Sequence, residues 1–223
     1  MAGYTLKSRD ANRMDSFALS FTWGIGAMLA IMSVGGTSGA HINPAVTIAN
    51  AVLGNMSWRK VPHYVAAQVT GAFFAAILIH VTYYDALQAF DGGMRIAVSH
   101  QDASGHIFAT YPASFLSLSG AVVDQVVATA ILMYAFMSIT DGERQGIPAF
   151  VQPFYFCLSI TGISLAFGLN CMASINPARD LAPRIYSAIA GYGLFPFTAP
   201  LSGSYWWAGQ LQSNLIVSSL VVV

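Results

Sequence analysis

The sequence predicts an all-α, polytopic membrane bundle built from two related halves, with two half-helices that meet at the bilayer midplane. Three observations carry this. Of 223 residues, 56% are hydrophobic and 8% charged, whereas a soluble domain carries about 25% charged residues; mean hydropathy is +0.60. Uncharged apolar stretches of the length that crosses a bilayer, about 20 residues, recur along the chain. Finally, one tripeptide occurs twice, as Asn43-Pro44-Ala45 and Asn176-Pro177-Ala178, each time inside an apolar stretch. Asn is a strong helix N-cap and Pro is preorganised for the first helical position, so each copy marks irregular backbone followed by a new helix. Such a break at membrane depth survives only when buried in protein or lining a watery cavity. Two of them in corresponding positions of two halves point to a central transport site.

Taken in order, Met1–Asp15 is polar and basic, with Lys7, Arg9 and Arg13. Ser16–Val34 carries no charge and reads as a full span. Ala40–Trp58 is also uncharged but is interrupted by His41, Asn43-Pro44 and Gly54-Asn55. Its helical part, Pro44–Leu53, reaches about halfway across at 1.5 Å per residue. Val61–Tyr84 is a second span, and Asp85–Pro112 reads as a polar loop. Leu116–Ile139 is a third span, carrying Asp124 and Gln125, and Asp141–Arg144 is a charged turn. Ile147–Phe167 is a fourth span, Pro177–Ala190 a second half-helix and Trp206–Val223 a last span. Five full spans result where a repeat of three per half needs six. The domain division is 1–15 polar segment, 16–207 channel unit and 208–223 C-terminal helix.

Net charge is zero, so no nucleic-acid partner is indicated. Cys157 and Cys171 lie in or beside apolar segments and read as buried thiols. No apolar core precedes Asp15, so no cleaved signal is expected. Asn55-Met56-Ser57 matches a glycosylation acceptor, but it precedes the basic pair Arg59-Lys60. No nucleophile–base pair, metal-ligand spacing or cofactor motif is visible, which argues against an enzyme and for no metal or cofactor.

The run Ser38-Gly39-Ala40-His41-Ile42-Asn43-Pro44-Ala45-Val46-Thr47 resembles the first signature of the major intrinsic proteins, the aquaporin channels, and Asn176-Pro177-Ala178-Arg179-Asp180 resembles the second. The acid after Arg179 is the mark of the glycerol-permeable branch, the aquaglyceroporins. The resemblance runs from about Leu19 to Trp207. It implies an aquaporin-like inverted repeat in which Asn43 and Asn176 present side-chain N–H groups at the pore centre, while the positive half-helix ends oppose protons and cations. It places the selectivity constriction at Trp23, Ser164, Ala173 and Arg179. It implies half-helix support from Asp124, Gln125, Asp180 and Arg184, with Gln125 holding half-helix backbone groups and Asp180 pairing with Arg184 across a turn. Gln68 resembles a family position at a helix interface. Ser164 and Ala173 are small, so the ring is expected to be wide; glycerol-passing members often carry an aromatic where Ala173 stands.

The blander readings remain beside these. Trp23 suits an interfacial aromatic belt, Ser164 and Ala173 suit plain helix packing, and Asp124 suits a structural hydrogen-bond partner more than a proton relay. His63 and His80 read as satisfied interface residues.

The chain departs from the family at its start, where a full span normally precedes the helix of Trp23. Without it, backbone groups near Gly36–Ala40 are expected to lose a partner. It departs again after Tyr205-Trp206-Trp207, where Ala208-Gly209-Gln210-Leu211-Gln212-Ser213-Asn214 leads into a Val/Leu tail. Family topology puts Arg59-Lys60 and Arg144 in the cytoplasm and the basic N-terminus outside, against the positive-inside tendency.

The resemblance implies a passive channel for glycerol, small neutral solutes and water, multi-pass in the plasma membrane and homotetrameric. The reading from another class is a truncated, non-conducting homologue that co-assembles with full-length relatives and regulates them.

Overall fold

The structure, a computed structural model, describes residues 2–6, 15–141, 146–198 and 204–208. Among these residues all regular structure is helical. Four helical stretches are long and apolar enough to cross a membrane: Ser16–Ser38, Trp58–Thr82, Leu118–Thr140 and Gln152–Cys171. Of the predicted last span, only its first residues, in a short helix Tyr205–Ala208, are described; the rest, and the charged turn Asp141–Arg144 after its first residue, lie outside the described residues.

A short helix α1 (Ala2–Leu6) comes first. Helix α2 (Ser16–Ser38) starts where the Asp15 carboxylate accepts from the Ala18 N–H at 2.6 Å, and stops at Gly39, which takes the left-handed conformation with φ 73°. Half-helix α3 (Pro44–Val52) follows its Asn43 cap. A 3-10 turn, Trp58–Lys60, leads into α4 (Val61–Thr82) and then α5 (Tyr84–Asp91). Helix α6 (Leu118–Thr140) is capped by Ser117, whose hydroxyl accepts from Gly120 at 3.1 Å. Helix α7 (Gln152–Cys171) ends at Met172, again left-handed with φ 57°. The second half-helix α8 (Pro177–Ser187) follows Asn176 and runs into a π-helical turn, Ala188–Tyr192, then α9 (Phe195–Thr198) and α10 (Tyr205–Ala208).

The two halves thus repeat one local grammar: a span, a left-handed stop, a short irregular stretch, an Asn cap and a half-helix. The main interfaces join α2 to α7, α4 to α8 and α6 to α7. Ala128, Leu132, Ile163 and Ile175 form the core between α6, α7 and the second re-entrant stretch, and Val46, Ala49 and Met133 seat α3 against α6. The outward faces keep large apolar side chains uncovered: Leu29 on α2, Leu78 on α4, Tyr134 on α6 and Phe154 on α7 are each at least 54% exposed. In a bilayer these faces meet lipid, which is as apolar as they are.

Two expectations are corrected. The stretch 85–112 is no polar loop: Tyr84–Asp91 is helical, Leu87 and Phe90 are buried, and most of residues 103–112 is buried. Its apolar side chains, Ile107, Phe108 and Tyr111 among them, close a core with Ala76 and Tyr192, and Asp91, Ser104 and Thr110 find internal partners. Ala2 and Thr5 of α1 are buried, and α1 packs on α5 and the 105–107 turn. Finally, the backbone near Gly36–Ala40 has partners. Gly39 N–H donates to Gly35 at 2.9 Å, Ala40 N–H to the Ser38 hydroxyl at 3.3 Å, and the Tyr64 hydroxyl to the Ser38 carbonyl at 3.0 Å. The two cysteines are free and buried.

Gly24 sets the closest approach of two spans. A Cβ there would stand 2.4 Å from both the Cys157 carbonyl oxygen and the Thr161 hydroxyl, while Gly26, two residues on, has nothing within 4 Å. Gly24→Val is therefore expected to destabilise the protein by about 1–3 kcal/mol through overpacking, lowering its unfolding temperature in detergent. Gly26→Ala should leave that temperature nearly unchanged.

Candidate functional site

The two Asn caps define the centre of the molecule. Asn43 accepts from the Ala45 N–H at 2.9 Å, and Asn176 accepts from Ala178 and Arg179 at 3.1 and 3.3 Å. Their amide nitrogens reach across: Asn43 Nδ2 donates to the Ile175 carbonyl at 2.9 Å and Asn176 Nδ2 donates to the Ile42 carbonyl at 2.9 Å. Each half-helix cap is thereby bonded to the residue preceding the other cap. A primary amide has two N–H donors, so one on each Asn remains for a guest. The irregular stretches that deliver the caps contain left-handed non-glycine residues, Ala40 and Ile42 in the first, Met172 and Ala173 in the second.

A cavity of about 1550 Å³ runs past both Asn residues and is lined by Trp23, Ser164, Ala173 and Arg179 as well. Trp23, far from the other three in sequence, is brought to the same space as Ser164, Ala173 and Arg179. The Arg179 guanidinium lies 4.7 Å from the Trp23 ring centroid, and its Nη1 donates to the Phe108 carbonyl at 3.5 Å. An apolar aromatic wall thus adjoins a set of charged donors. Further lining residues include Leu132, Phe136, Phe156 and Ile160, which make the remainder of the wall mostly apolar.

Asp180 and Arg184 sit one turn apart on α8 and are 1% and 0% exposed at the side chain. Arg184 Nε donates to Asp180 Oδ2 at 2.9 Å, Nη1 to the Pro196 carbonyl at 2.6 Å and Nη2 to the Thr110 carbonyl at 2.5 Å. Asp180 Oδ1 accepts from the Thr110 N–H at 2.7 Å and from its hydroxyl at 2.6 Å. The guanidinium also lies 4.9 Å from the Tyr111 ring. In this loop, outside the spans, burial raises the Tyr111 pKa and lowers that of His106, so both are neutral at neutral pH.

Asp124 is a structural hydrogen-bond partner, and Gln125 is placed differently from expectation. Asp124 Oδ1 accepts from Asn170 Nδ2 at 2.8 Å and Oδ2 from Gln125 Nε2 at 3.1 Å. Gln125 makes no hydrogen bond to half-helix backbone among the described residues; its Oε1 is buried without a partner. The pair therefore ties α6 to the last turn of α7, one step before the re-entrant stretch. The first half-helix is gripped at the Thr47 hydroxyl, which accepts from Gln68 at 2.9 Å and meets His41 Nδ1 at 3.2 Å. His80 Nδ1 meets the Tyr186 hydroxyl at 2.7 Å and His63 Nδ1 the Arg59 carbonyl at 3.2 Å. Sequence reasoning missed Thr110, Phe108, Ser104 and Asp91, which lay in the presumed loop and carry no motif.

Fold and site together define a class, a multi-pass membrane protein with paired re-entrant half-helices. The chain belongs to the major intrinsic protein family, whose model matches residues 2–209. It is 46% identical over 179 residues to aquaporin-9 of Homo sapiens, covering 80% of this chain and 60% of that protein. It is 38% identical over 200 residues to human aquaporin-10, covering 90% and 65% respectively. To aquaglyceroporin-2 of Rhizophagus irregularis it is 39% identical over 213 residues, covering 92% of this chain and 66% of that one. The chain thus spans about 60% of the length of the first of these relatives. Its fold is similar to the X-ray structure of the aquaglyceroporin from Plasmodium falciparum, with a TM-score of 0.82 and 26% identity over 98% of this chain and 85% of that one.

The buried pair on α8 gives a stability prediction. Removing one partner of a buried ion pair leaves an uncompensated charge and costs about 3–5 kcal/mol. Asp180→Ala is expected to show this as a large drop in unfolding temperature in detergent, whereas Asp15→Ala, which removes an exposed cap, should cost about 1 kcal/mol.

Proposed function

We propose that the chain forms a passive channel for glycerol, other small neutral solutes and water, and that it excludes ions and protons. The observation that carries this is the cavity in which Asn43, Asn176, Trp23, Ser164, Ala173 and Arg179 come together. The relatives named aquaglyceroporin support the same solute class. In this reading Asn43 and Asn176 each offer one N–H to a passing oxygen, and the N-terminal ends of α3 and α8 place positive potential beside it. That potential raises the barrier to a cation, while a neutral molecule exchanges one set of hydrogen bonds for another. At the constriction, Trp23 takes the carbon side of a polyol and Arg179 donates to its hydroxyls. Residues 16–207 make up the channel unit, Asp180 and Arg184 support its second half-helix directly, Asp124 and Gln125 brace it only through Asn170 at the end of α7, and the assembly is a homotetramer in the plasma membrane.

Proteoliposomes holding the full chain should carry glycerol and water above the lipid background. Asn176→Asp combined with Arg179→Ala is expected to change that flux strongly. Flux equal to background in the unaltered protein would instead favour a non-conducting, regulatory homologue.

Selectivity gives a sharper check. Ser164 and Ala173 leave space beside Arg179 that suits a three-carbon chain, and a file of water needs less width. Ser164→His with Ala173→Phe is expected to lower the glycerol-to-water permeability ratio on the order of tenfold, equivalent to about 1.4 kcal/mol of barrier difference. A ratio that stays constant or rises would locate the constriction elsewhere.

A further inference from the structure

We propose that Asp91, Ser104 and Tyr192 form a buried positioning relay that holds Arg179 from outside the cavity and thereby sets which solutes the constriction admits. The transport consequence rests on the channel reading above; the positioning itself does not. None of the three lines the cavity, and they are only 1%, 0% and 4% exposed.

The relay has a direction. Asp91 Oδ1 accepts from the Gly93 N–H at 2.9 Å and from Arg95 Nη1 at 2.6 Å, and Oδ2 accepts from the Ser104 hydroxyl at 2.8 Å. A serine hydroxyl has one proton, and here it goes to the carboxylate. The Tyr192 hydroxyl, 2.7 Å from the Ser104 oxygen, is therefore the donor of that second bond. Tyr192 closes the π-helical turn that follows α8, so the chain Tyr192 to Ser104 to Asp91 ties the loop after α5 to the half-helix that carries Arg179.

Close packing reinforces the tie. The Ser104 and Gly105 N–H groups both donate to the Ile96 carbonyl, at 2.9 and 3.3 Å. A Cβ on Gly105 would lie 2.5 Å from the Ala97 carbonyl oxygen, so the chain is pressed against that segment. Six residues beyond Ser104, Thr110 is fixed by Asp180 and Arg184. The stretch between these two anchors carries Phe108, whose ring packs on Tyr186 at 5.7 Å and on Tyr192 at 5.8 Å. Its carbonyl accepts from Arg179 at 3.5 Å. A bond that long is weak by itself and depends on the carbonyl being held in place. Releasing the Ser104 end removes one of the two anchors, and the guanidinium loses its acceptor.

The test uses the full chain with Tyr192→Phe, which removes the hydroxyl and keeps the ring on Phe108, and separately Ser104→Ala. The permeability of erythritol, one carbon longer than glycerol, is measured against that of glycerol. Both variants are expected to raise the erythritol-to-glycerol ratio several-fold. Ser104→Ala should add nothing to the ratio already raised by Arg179→Ala, because the two act through one contact. A purely structural role would lower every flux with the number of intact channels and leave the ratio fixed. Crystal structures of the two variants supply a second readout that needs no transport: Arg179 should leave the Phe108 carbonyl and move relative to Trp23. Arg179 still bonded to Phe108 and still 4.7 Å from the Trp23 centroid in both variants overturns the inference, as does glycerol flux with an unmoved ratio. Absence of glycerol flux in the unaltered protein overturns the channel reading alone, and the crystallographic arm then decides the relay.

Discussion

Two half-helices can end in the middle of this molecule only because their caps are bonded to each other. A helix start leaves backbone N–H groups unpaired, and a chain that turns at membrane depth leaves carbonyls unpaired as well. Asn43 and Asn176 answer both needs with one side chain each: the oxygen serves its own helix, and the nitrogen serves the carbonyl of Ile175 or Ile42 in the other half. Neither half is complete alone. The left-handed residues Ala40, Ile42, Met172 and Ala173 are part of the same arrangement. Each such residue costs of order 1–3 kcal/mol and persists only where its surroundings over-determine it. The reciprocal bonds are that over-determination.

A second constraint lies one turn along α8. Burying Arg184 and Asp180 completely costs solvation that their mutual attraction does not fully return. The remaining hydrogen-bonding capacity is filled by Thr110 and Pro196, which belong to segments before and after the half-helix. The ion pair therefore fixes where those segments stand more than it stabilises the helix. Through Thr110 it anchors the stretch that brings the Phe108 carbonyl to Arg179, and the site depends on a loop that does not itself cross the membrane.

The polar interior contrasts with the outer faces of α2, α4, α6 and α7, which stay apolar and exposed. Lipid supplies no drive to bury them. Close approach comes instead from small residues such as Gly24 against Cys157 and Thr161, and from buried polar contacts such as Gln68 on Thr47 and Asn170 on Asp124.

What the sequence determined by itself was local. Uncharged stretches marked the spans because a bilayer excludes charge over a fixed thickness. Asn-Pro marked the half-helix starts because capping acts within three residues, and Asp180 with Arg184 could be paired because they share a helix face. Tertiary structure decided whatever depended on segments distant in the chain. It turned 85–112 from a polar loop into a buried, partly helical segment, because Leu87 and Phe108 find a core there and Asp91 and Ser104 find each other. It gave Gln125 a different partner from the one its position suggested, and it brought Trp23 beside Arg179. The contacts of Trp23 with Arg179 and of Asn170 with Asp124 join groups dozens of residues apart. Their geometry follows from how the two halves close on each other, and no local propensity in the chain encodes it.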